Sequence, residues 1–189
     1  MKILKKYGAN ALFFTLILVI LFVPDAKAFL IRGLMEIGLY NPKIEQPAAS
    51  VSDLNGIQFK DIRGNVIDLG NLKGKVIFVN FWATWCPPCR AEMPSLAKLY
   101  EQFKNDNTIV FIFADADGNL EKSTKYMAKR NYEMPVFKVN SDVPAQIFSG
   151  SLPTTVIFDK LGRLSFRHEG VADYNDKKFV AFLNKLKAQ

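Results

Sequence analysis

Two apolar runs separated by a helical pattern constrain the fold of this 189-residue chain more than any other feature. Residues 75–81 and 108–114 are almost wholly apolar, which is typical of strands covered on both faces of a sheet. Between the two runs, apolar residues recur at three- and four-residue steps, as on one face of a helix: Met93, Leu96, Leu99, Tyr100 and Phe103. Because crossovers between parallel strands are right-handed, this unit predicts an α/β domain built on a sheet.

The flanking segments extend that sheet on both sides. Residues 57–62 and 66–69 flank a turn and predict an N-terminal β-hairpin, and residues 154–159 and 164–169 predict a second one. A helix is expected at 120–130 behind a candidate N-cap at Asn119, a short strand at 134–139, and an amphipathic helix at 175–187. The sequence therefore predicts a mixed central sheet with helices on both faces.

Charge and residue counts exclude several classes of function. The formal net charge is +7, but Lys2, Lys5, Lys6 and Lys27 all lie in the first 28 residues, and no basic stripe follows. Nucleic-acid binding is therefore not expected. The chain has two cysteines and one histidine, which excludes a disulfide scaffold and a four-thiolate metal site. No metal and no cofactor are expected.

The N-terminal residues carry a targeting pattern. A short basic start precedes the apolar residues 11–23, Pro24 ends that run, and Ala26-Lys27-Ala28 follows. This pattern predicts either a secretory signal peptide cut after Ala28 or an uncleaved membrane anchor. Either interpretation places the chain beyond residue 40 outside the cytoplasm, in the bacterial periplasm or envelope.

Residues 29–49 are expected to connect this segment to a domain at 50–189. Residues 29–40 predict an amphipathic helix with one apolar face formed by Leu30, Ile31, Leu34, Met35 and Ile37, and with an Arg32–Glu36 pair on the other face. Such a helix could lie on a membrane surface or pack on the domain, and the pattern does not decide between them. Residues 41–50 have the composition of a linker.

Cys86-Pro87-Pro88-Cys89 directly follows the first buried strand. We expect Cys86 to be the N-cap of the next helix, with proline at the first helical position and the Cys89 N–H donating to the Cys86 sulfur. The helix start favours a thiolate, so Cys86 is the predicted nucleophile and Cys89 the resolving thiol. A zinc site would need further ligands, and the chain has no third cysteine and one histidine. Covalent haem attachment would need a histidine directly after Cys89, where the chain has Arg90. A disulfide that closes so short a loop constrains the unfolded chain very little, so a purely structural disulfide is not favoured. A redox role is expected.

The run from Asn80 to Pro94, NFWATWCPPCRAEMP, resembles the thioredoxin superfamily, and within it the extracytoplasmic TlpA/ResA type of thiol-disulfide oxidoreductase. A second motif, Gly150-Ser151-Leu152-Pro153-Thr154-Thr155, strengthens the resemblance, which extends from about residue 50 to the C-terminus. It implies a thioredoxin-like fold with a TlpA-type insertion at residues 115–139. It also implies that Pro153 is cis beside the cysteines, and that a substrate chain pairs with the backbone of Leu152.

The resemblance also assigns supporting residues. Trp85 matches the family's aromatic residue beside the nucleophile, with simple core packing as the alternative. Cytoplasmic thioredoxins carry aspartate where this chain has Asn80, and asparagine cannot accept a proton from Cys89. Either Glu92, which opposes the thiolate by its charge, or water must then take that proton, or deprotonation of Cys89 is slow. Asp115 and Asp117 are interpreted as turn formers and helix caps, and His168 as a surface or edge residue.

The leading hypothesis is an enzyme that reduces disulfides of exported proteins, with apocytochrome c as one candidate client, and that is recharged by a membrane-embedded electron donor. Two alternatives remain: a thiol peroxidase of the peroxiredoxin kind, and a non-enzymatic module that binds unfolded chains beside Pro153. Peroxide consumption without a thiol carrier would favour the first alternative. A function that survives replacement of Cys86 by serine would favour the second.

Overall fold

The structure is a computed structural model that describes residues 2–36, 38–42, 44 and 53–189, with side chains from residue 10 onward. The helices are α1 Lys2–Phe22, α2 Pro24–Glu36, α3 Pro87–Phe103, α4 Leu120–Lys129 and α5 Lys177–Ala188, with a 3₁₀ helix at Leu69–Leu72. The strands are β1 Gln58–Asp61, β2 Val66–Asp68, β3 Val76–Trp82, β4 Ile109–Asp115, β5 Val136–Val139, β6 Thr154–Phe158 and β7 Leu164–Glu169. The predicted domain boundary at residue 50 and most of the predicted linker lie outside the described residues.

The seven strands form one mixed sheet in the order β2-β1-β5-β4-β3-β6-β7. Strand β3 lies inside the sheet, parallel to β4 and antiparallel to β6, and every one of its residues is buried. This explains why its sequence is apolar without alternation. Both predicted hairpins are present, as β1–β2 and β6–β7. Residues 115–139 form α4 and β5, and their assignment as a TlpA-type insertion stays a prediction.

The α-helices of the domain cover one face of the sheet. Apolar side chains of α3, α4 and α5 pack there in one core, which is illustrated by Met93, Met127 and Phe179. The opposite face is covered by Leu69 of the 3₁₀ helix and by Ile147 and Phe148. Among the described residues, the helical cover predicted for that second face consists of the 3₁₀ helix and one turn, in which Phe148 N–H donates to Pro144 O at 3.0 Å.

The N-terminal segment departs from the sequence prediction. The expected amphipathic helix begins at Pro24, five residues before residue 29, and it continues through Ala28 to Glu36. Proline is favoured in the first helical turn, so Pro24, which the sequence predicts as the end of the apolar run, begins α2 two residues after α1 ends at Phe22. Among the described residues no single helix is long and apolar enough to cross a bilayer. Residues 10–22 and α2 meet that criterion only as a pair, which is bent by 91°.

The predicted apolar face of this helix is also corrected. Met35 is buried against the domain and Ile31 is partly buried, whereas Leu30 and Leu34 are exposed. Ile37 lies outside the described residues. Arg32 and Glu36 do not form the expected pair in the part of the chain that the structure describes. The stripe of α2 that packs on the domain shares Ile31 and Met35 with the predicted apolar face but also includes Ala28, and it leaves Leu30 and Leu34 exposed.

Candidate active site at the start of the third helix

Cys86 lies at the start of α3, just beyond the carboxyl end of β3. Its backbone is extended (φ −80°, ψ 109°), and its sulfur accepts a hydrogen bond of 3.2 Å from the Cys89 N–H, so it is the N-cap that the sequence predicts. Pro87 and Pro88 occupy the first two helical positions, where backbone N–H groups have no partner within the helix. The helix start thus directs one N–H and its partial positive charge at the Cys86 sulfur.

The two cysteines form a disulfide bond. Cys86 keeps 2% of its surface exposed and borders an open groove, whereas Cys89 is completely buried within α3. A client that enters the groove therefore meets the Cys86 sulfur first. This difference in access is what a nucleophilic and a resolving thiol require.

The groove beside Cys86 has a volume of about 470 Å³ and is mainly apolar. Its lining comes from three parts of the fold: the cysteine turn, the end of β4 and the loop before β6. The lining residues are Trp85, Cys86, Pro87, Pro88, Ala116, Asp117, Phe148, Gly150 and Leu152. The peptide bond between Leu152 and Pro153 is cis, as the resemblance implies, and Leu152 is half-buried at the groove.

Trp85 stands at the rim of this groove. Its side chain is 55% exposed, so the alternative that it is a core residue is wrong. Its indole Nε1–H donates to Asp117 Oδ2 at 2.7 Å and joins the cysteine turn to the end of β4. Asp115 accepts a hydrogen bond from the Asp117 N–H at 3.1 Å, which confirms that Asp115 forms a turn. Asp117 instead bonds to Trp85, a contact that no local sequence signal indicates.

A buried polar cluster lies behind the cysteines. The Asn80 amide donates to Glu92 Oε1 at 2.8 Å and to Thr155 Oγ1 at 2.9 Å, and the Ala172 N–H approaches Glu92 Oε2 at 3.4 Å. Thr155 and Tyr174 belong to this cluster and were missed from the sequence, because strand pairing and a distant loop bring them there. Glu92 lies three residues after Cys89 on the same helix and is fully buried.

Burial determines the charge of this cluster. It raises the pKa of Glu92 from 4.5 to about 8, although the Asn80 and Ala172 hydrogen bonds act in the opposite direction. Glu92 is therefore mainly protonated at neutral pH, and the expectation that its charge opposes a thiolate needs correction. Burial and the nearby Glu92 also raise the pKa of Tyr174 well above its usual value.

Two further residues have clear positions outside the groove. The Arg90 side chain is directed away from the cysteines, towards Asp25 of α2 and the ring of Tyr126, 5.4 Å from the guanidinium carbon. His168 lies on the edge strand β7, half-buried, as the sequence predicts. Desolvation lowers the pKa of His168, so the side chain is neutral at neutral pH.

Comparison of the sequence with known proteins finds thiol-disulfide oxidoreductases and related redox proteins. A family model described as Redoxin matches residues 45–183. A thiol-disulfide oxidoreductase ResA of Bacillus cereus is 34% identical over 130 residues, which cover 67% of this chain and 72% of that relative. The thioredoxin-like protein YneN of Bacillus subtilis (strain 168) is 31% identical over 112 residues, or 59% of this chain and 66% of that protein.

Solved structures show the same fold. A thiol:disulfide interchange protein of the thioredoxin family from Chlorobium tepidum TLS has a TM-score of 0.55 at 24% identity, over 75% of this chain and 96% of the other. A DsbF homologue from Corynebacterium diphtheriae has a TM-score of 0.57 at 18% identity, over 76% of this chain and 99% of the other. At these identities the structural likeness establishes the thioredoxin-like fold. The thiol-disulfide oxidoreductase activity is indicated by the curated relatives.

Proposed function

Because the chain belongs to the Redoxin family and is a ResA-like thiol-disulfide oxidoreductase, we propose that it reduces disulfides of exported proteins through Cys86 and Cys89. The observation that carries this proposal is the contrast between the two sulfurs. The Cys86 sulfur accepts the Cys89 N–H at a helix start and borders the groove, while Cys89 is buried one turn further on.

The proposed reaction moves two electrons from the enzyme to its client. In the reduced enzyme, the Cys86 thiolate attacks one sulfur of the client disulfide, so that a mixed disulfide forms and one client thiolate leaves. The Cys89 thiolate then attacks the Cys86 sulfur and releases the second client thiolate. The client thiolates take up protons, and the enzyme is left with the Cys86–Cys89 disulfide that the structure contains.

In the ionised fraction that a pKa of about 8 leaves at neutral pH, Glu92 is the proposed proton acceptor for Cys89. It lies one turn along α3 from Cys89, and its pKa of about 8 is close to the value of about 8.5 for an ordinary thiol. Proton transfer between groups of similar pKa has a small free-energy cost in either direction. Asn80, which cannot accept the proton itself, donates a hydrogen bond to Glu92 and holds its carboxyl group in place.

The groove is the proposed client site. Its apolar lining suits a segment of unfolded chain, and the family resemblance implies that this segment pairs as an added strand with the backbone at Leu152 beside Pro153. Trp85 at the rim and the half-buried Phe148 in the lining offer aromatic surface to side chains next to the client disulfide. Apocytochrome c is one client that fits the family.

We place this activity outside the cytoplasm, where a reductant has to be recharged by a membrane-embedded electron donor. The proposed direction of electron flow rests on the cysteine turn. Pro87 and Pro88 have no N–H to donate, and the turn contains no histidine, so the thiolate of Cys86 is stabilised only moderately. A moderately stabilised thiolate is typical of a reductant such as thioredoxin rather than of a strong oxidant.

A trapping experiment tests the roles of the two cysteines. In Cys89→Ser the mixed disulfide cannot be resolved, so we expect client adducts on non-reducing gels of exported fractions. Cys86→Ser has no accessible nucleophile and should give none, and the double variant is the matched control for background oxidation. Equal trapping by both single variants would contradict the assignment. Peroxide consumption by the purified protein without a thiol carrier would instead support a peroxidase.

A further inference from the structure

The helix α2 packs on the helix that carries the cysteines. Ala28 and Met35 are 2% and 5% exposed, and they form a small apolar cluster with Ala91 of α3. The chain just beyond α2 is attached as well, since the Asp173 N–H donates to Tyr40 O at 2.9 Å. The segment from 24 to 40 is thus bound to the domain along its length wherever the structure describes it.

Ion pairs attach the start of α2 to the helix α3 and to the residue that follows α4. The Asp25 carboxylate binds the guanidinium groups of Arg90 and Arg130, the latter at 2.9 Å. Both arginines approach the ring of Tyr126, with guanidinium carbons 5.4 and 3.9 Å from its centre. Arg90 is only 12% exposed, so removing Asp25 would leave a largely buried cation without its carboxylate partner.

The opposite side of α2 is apolar and uncovered. Phe29 is 74% exposed, Leu30 51% and Leu34 37%. Leu30 and Leu34 are four residues apart and share one face of the helix, and Phe29 lies next to Leu30. In α1, which is bent by 91° from α2, the large apolar side chains from Leu12 to Phe22 are also mostly exposed. Patches of this extent on soluble proteins mark a binding surface, and an apolar stripe with a basic N-terminal flank suits lipid.

We propose that α2 is a permanent part of the folded protein, held between the active-site helix and a lipid surface, and that the chain retains residues 24–28. Cleavage after Ala28 would divide α2 in its middle and discard Asp25. If residues 1–28 were removed, the ion pairs of Asp25 with Arg90 and Arg130 would not exist in the mature protein. This inference does not depend on the direction of the redox reaction.

The packing of α2 on α3 sets the orientation of the two cysteines relative to the proposed lipid surface. Asp25, at the corner between α1 and α2, binds Arg90, the residue that follows Cys89. The C-terminal end of α2 lies beside Pro94, Ser95 and Lys98 further along α3, so the two helices run in the same direction. The cysteine end of the domain is therefore the end nearest the lipid-facing corner, where a partner in the membrane could reach it.

Two measurements on the full chain in lipid vesicles test the two faces of α2. For the domain face, Asp25→Asn removes the carboxylate, and tryptic cleavage after Lys27 and Arg32 should become roughly 3- to 10-fold faster because local opening becomes easier. Glu36→Gln changes an exposed acid on the same helix and is the matched control. Equal cleavage rates for Asp25→Asn and the parent protein would overturn the docking.

For the lipid face, Leu30→Trp places a fluorophore on the exposed stripe, and brominated phospholipids should quench it beyond the quenching seen in the parent protein. Leu161→Trp, at an exposed turn at the sheet end opposite the cysteines, is the control that should remain unquenched. A Leu30→Trp signal shielded from aqueous quenchers but insensitive to brominated lipid would show a protein partner and overturn the lipid assignment. An N-terminus at Phe29 in protein purified from exporting cells would overturn the retention of residues 24–28.

Discussion

Replacing Glu92 by glutamine should make the protein more stable at neutral pH. In the folded chain burial raises the pKa of Glu92 from 4.5 to about 8, so the carboxyl group keeps its proton over a pH range in which the unfolded chain has lost it. The stabilisation from the protonated form is therefore complete below pH 4.5 and is lost as the pH rises towards 8. Glutamine has nearly the same shape and no charge at any pH.

The size of the effect follows from the two pKa values. The folded state binds one more proton than the unfolded state between pH 4.5 and 8, so the free energy of unfolding falls by about 1.4 kcal/mol per pH unit. By pH 7 the loss from this residue is about 3 kcal/mol. Glutamine loses the long Ala172 contact at a cost of about 1 kcal/mol but keeps the Asn80 bond. The net gain at pH 7 is about 2 kcal/mol.

The assay is urea unfolding of the oxidised full chain in detergent micelles at pH 5, 6, 7 and 8. The informative quantity is the difference in unfolding free energy between Glu92→Gln and the parent protein, because other titrating groups are common to both and cancel. This difference should grow with pH in favour of glutamine. Glu92→Gln should also resolve mixed disulfides more slowly, because glutamine cannot accept the Cys89 proton, so stability and activity should change in opposite directions.

A difference in unfolding free energy between Glu92→Gln and the parent protein that stays the same at all four pH values would refute the reasoning. It would mean that Glu92 is ionised in the folded protein at neutral pH, with its charge satisfied by hydrogen bonds. In that case a carboxylate with an ordinary pKa would be too weak a base for a thiol, and the proposed role of Glu92 in deprotonating Cys89 would fail with it.

Three further predictions concern the groove, the last helix and the redox couple. Trp85→Phe removes the indole bond to Asp117, so we expect KM for a disulfide peptide to rise several-fold with kcat unchanged; Asp117→Asn, which keeps an acceptor, should behave like the parent protein. Asp176→Ala removes the N-cap of α5 and should lower the unfolding free energy by about 1 kcal/mol in chemical denaturation. Equilibration with dithiothreitol buffers should give a reduction potential of about −270 mV rather than about −120 mV.

The parts of this site that were predictable from the sequence are set by local interactions. The N-cap at Cys86 depends on four consecutive residues and on prolines whose preferred helical position is known, so the hydrogen bond from Cys89 could be derived before the fold was described. The unit from β3 to β4 was equally predictable, because continuous apolar runs distinguish buried parallel strands. The cis peptide bond at Pro153 was expected from the family resemblance, and residue spacing alone would not have indicated it.

The parts that were missed depend on contacts between distant segments. Trp85 and Asp117 are 32 residues apart, and nothing near either residue indicates their bond. The sequence predicts a charged Glu92 because glutamate is ordinarily ionised and exposed, whereas the packing of α3 against the sheet buries it completely. Pro24 was interpreted as the end of the apolar run, although the stop signal for one helix is also a favoured start for the next.

The buried cluster behind the cysteines also explains why asparagine is suited to position 80. Asn80 donates one N–H to Glu92 and the other to Thr155, so both hydrogens of its amide are used. An aspartate there would place a second carboxyl group within hydrogen-bonding distance of Glu92 in a buried site, and the two would compete for one proton. With asparagine, the cluster contains a single acid that titrates near the pKa of a thiol. In the proposed mechanism, Glu92 on α3, three residues after Cys89, therefore takes the part of the acid that cytoplasmic thioredoxins carry on the strand.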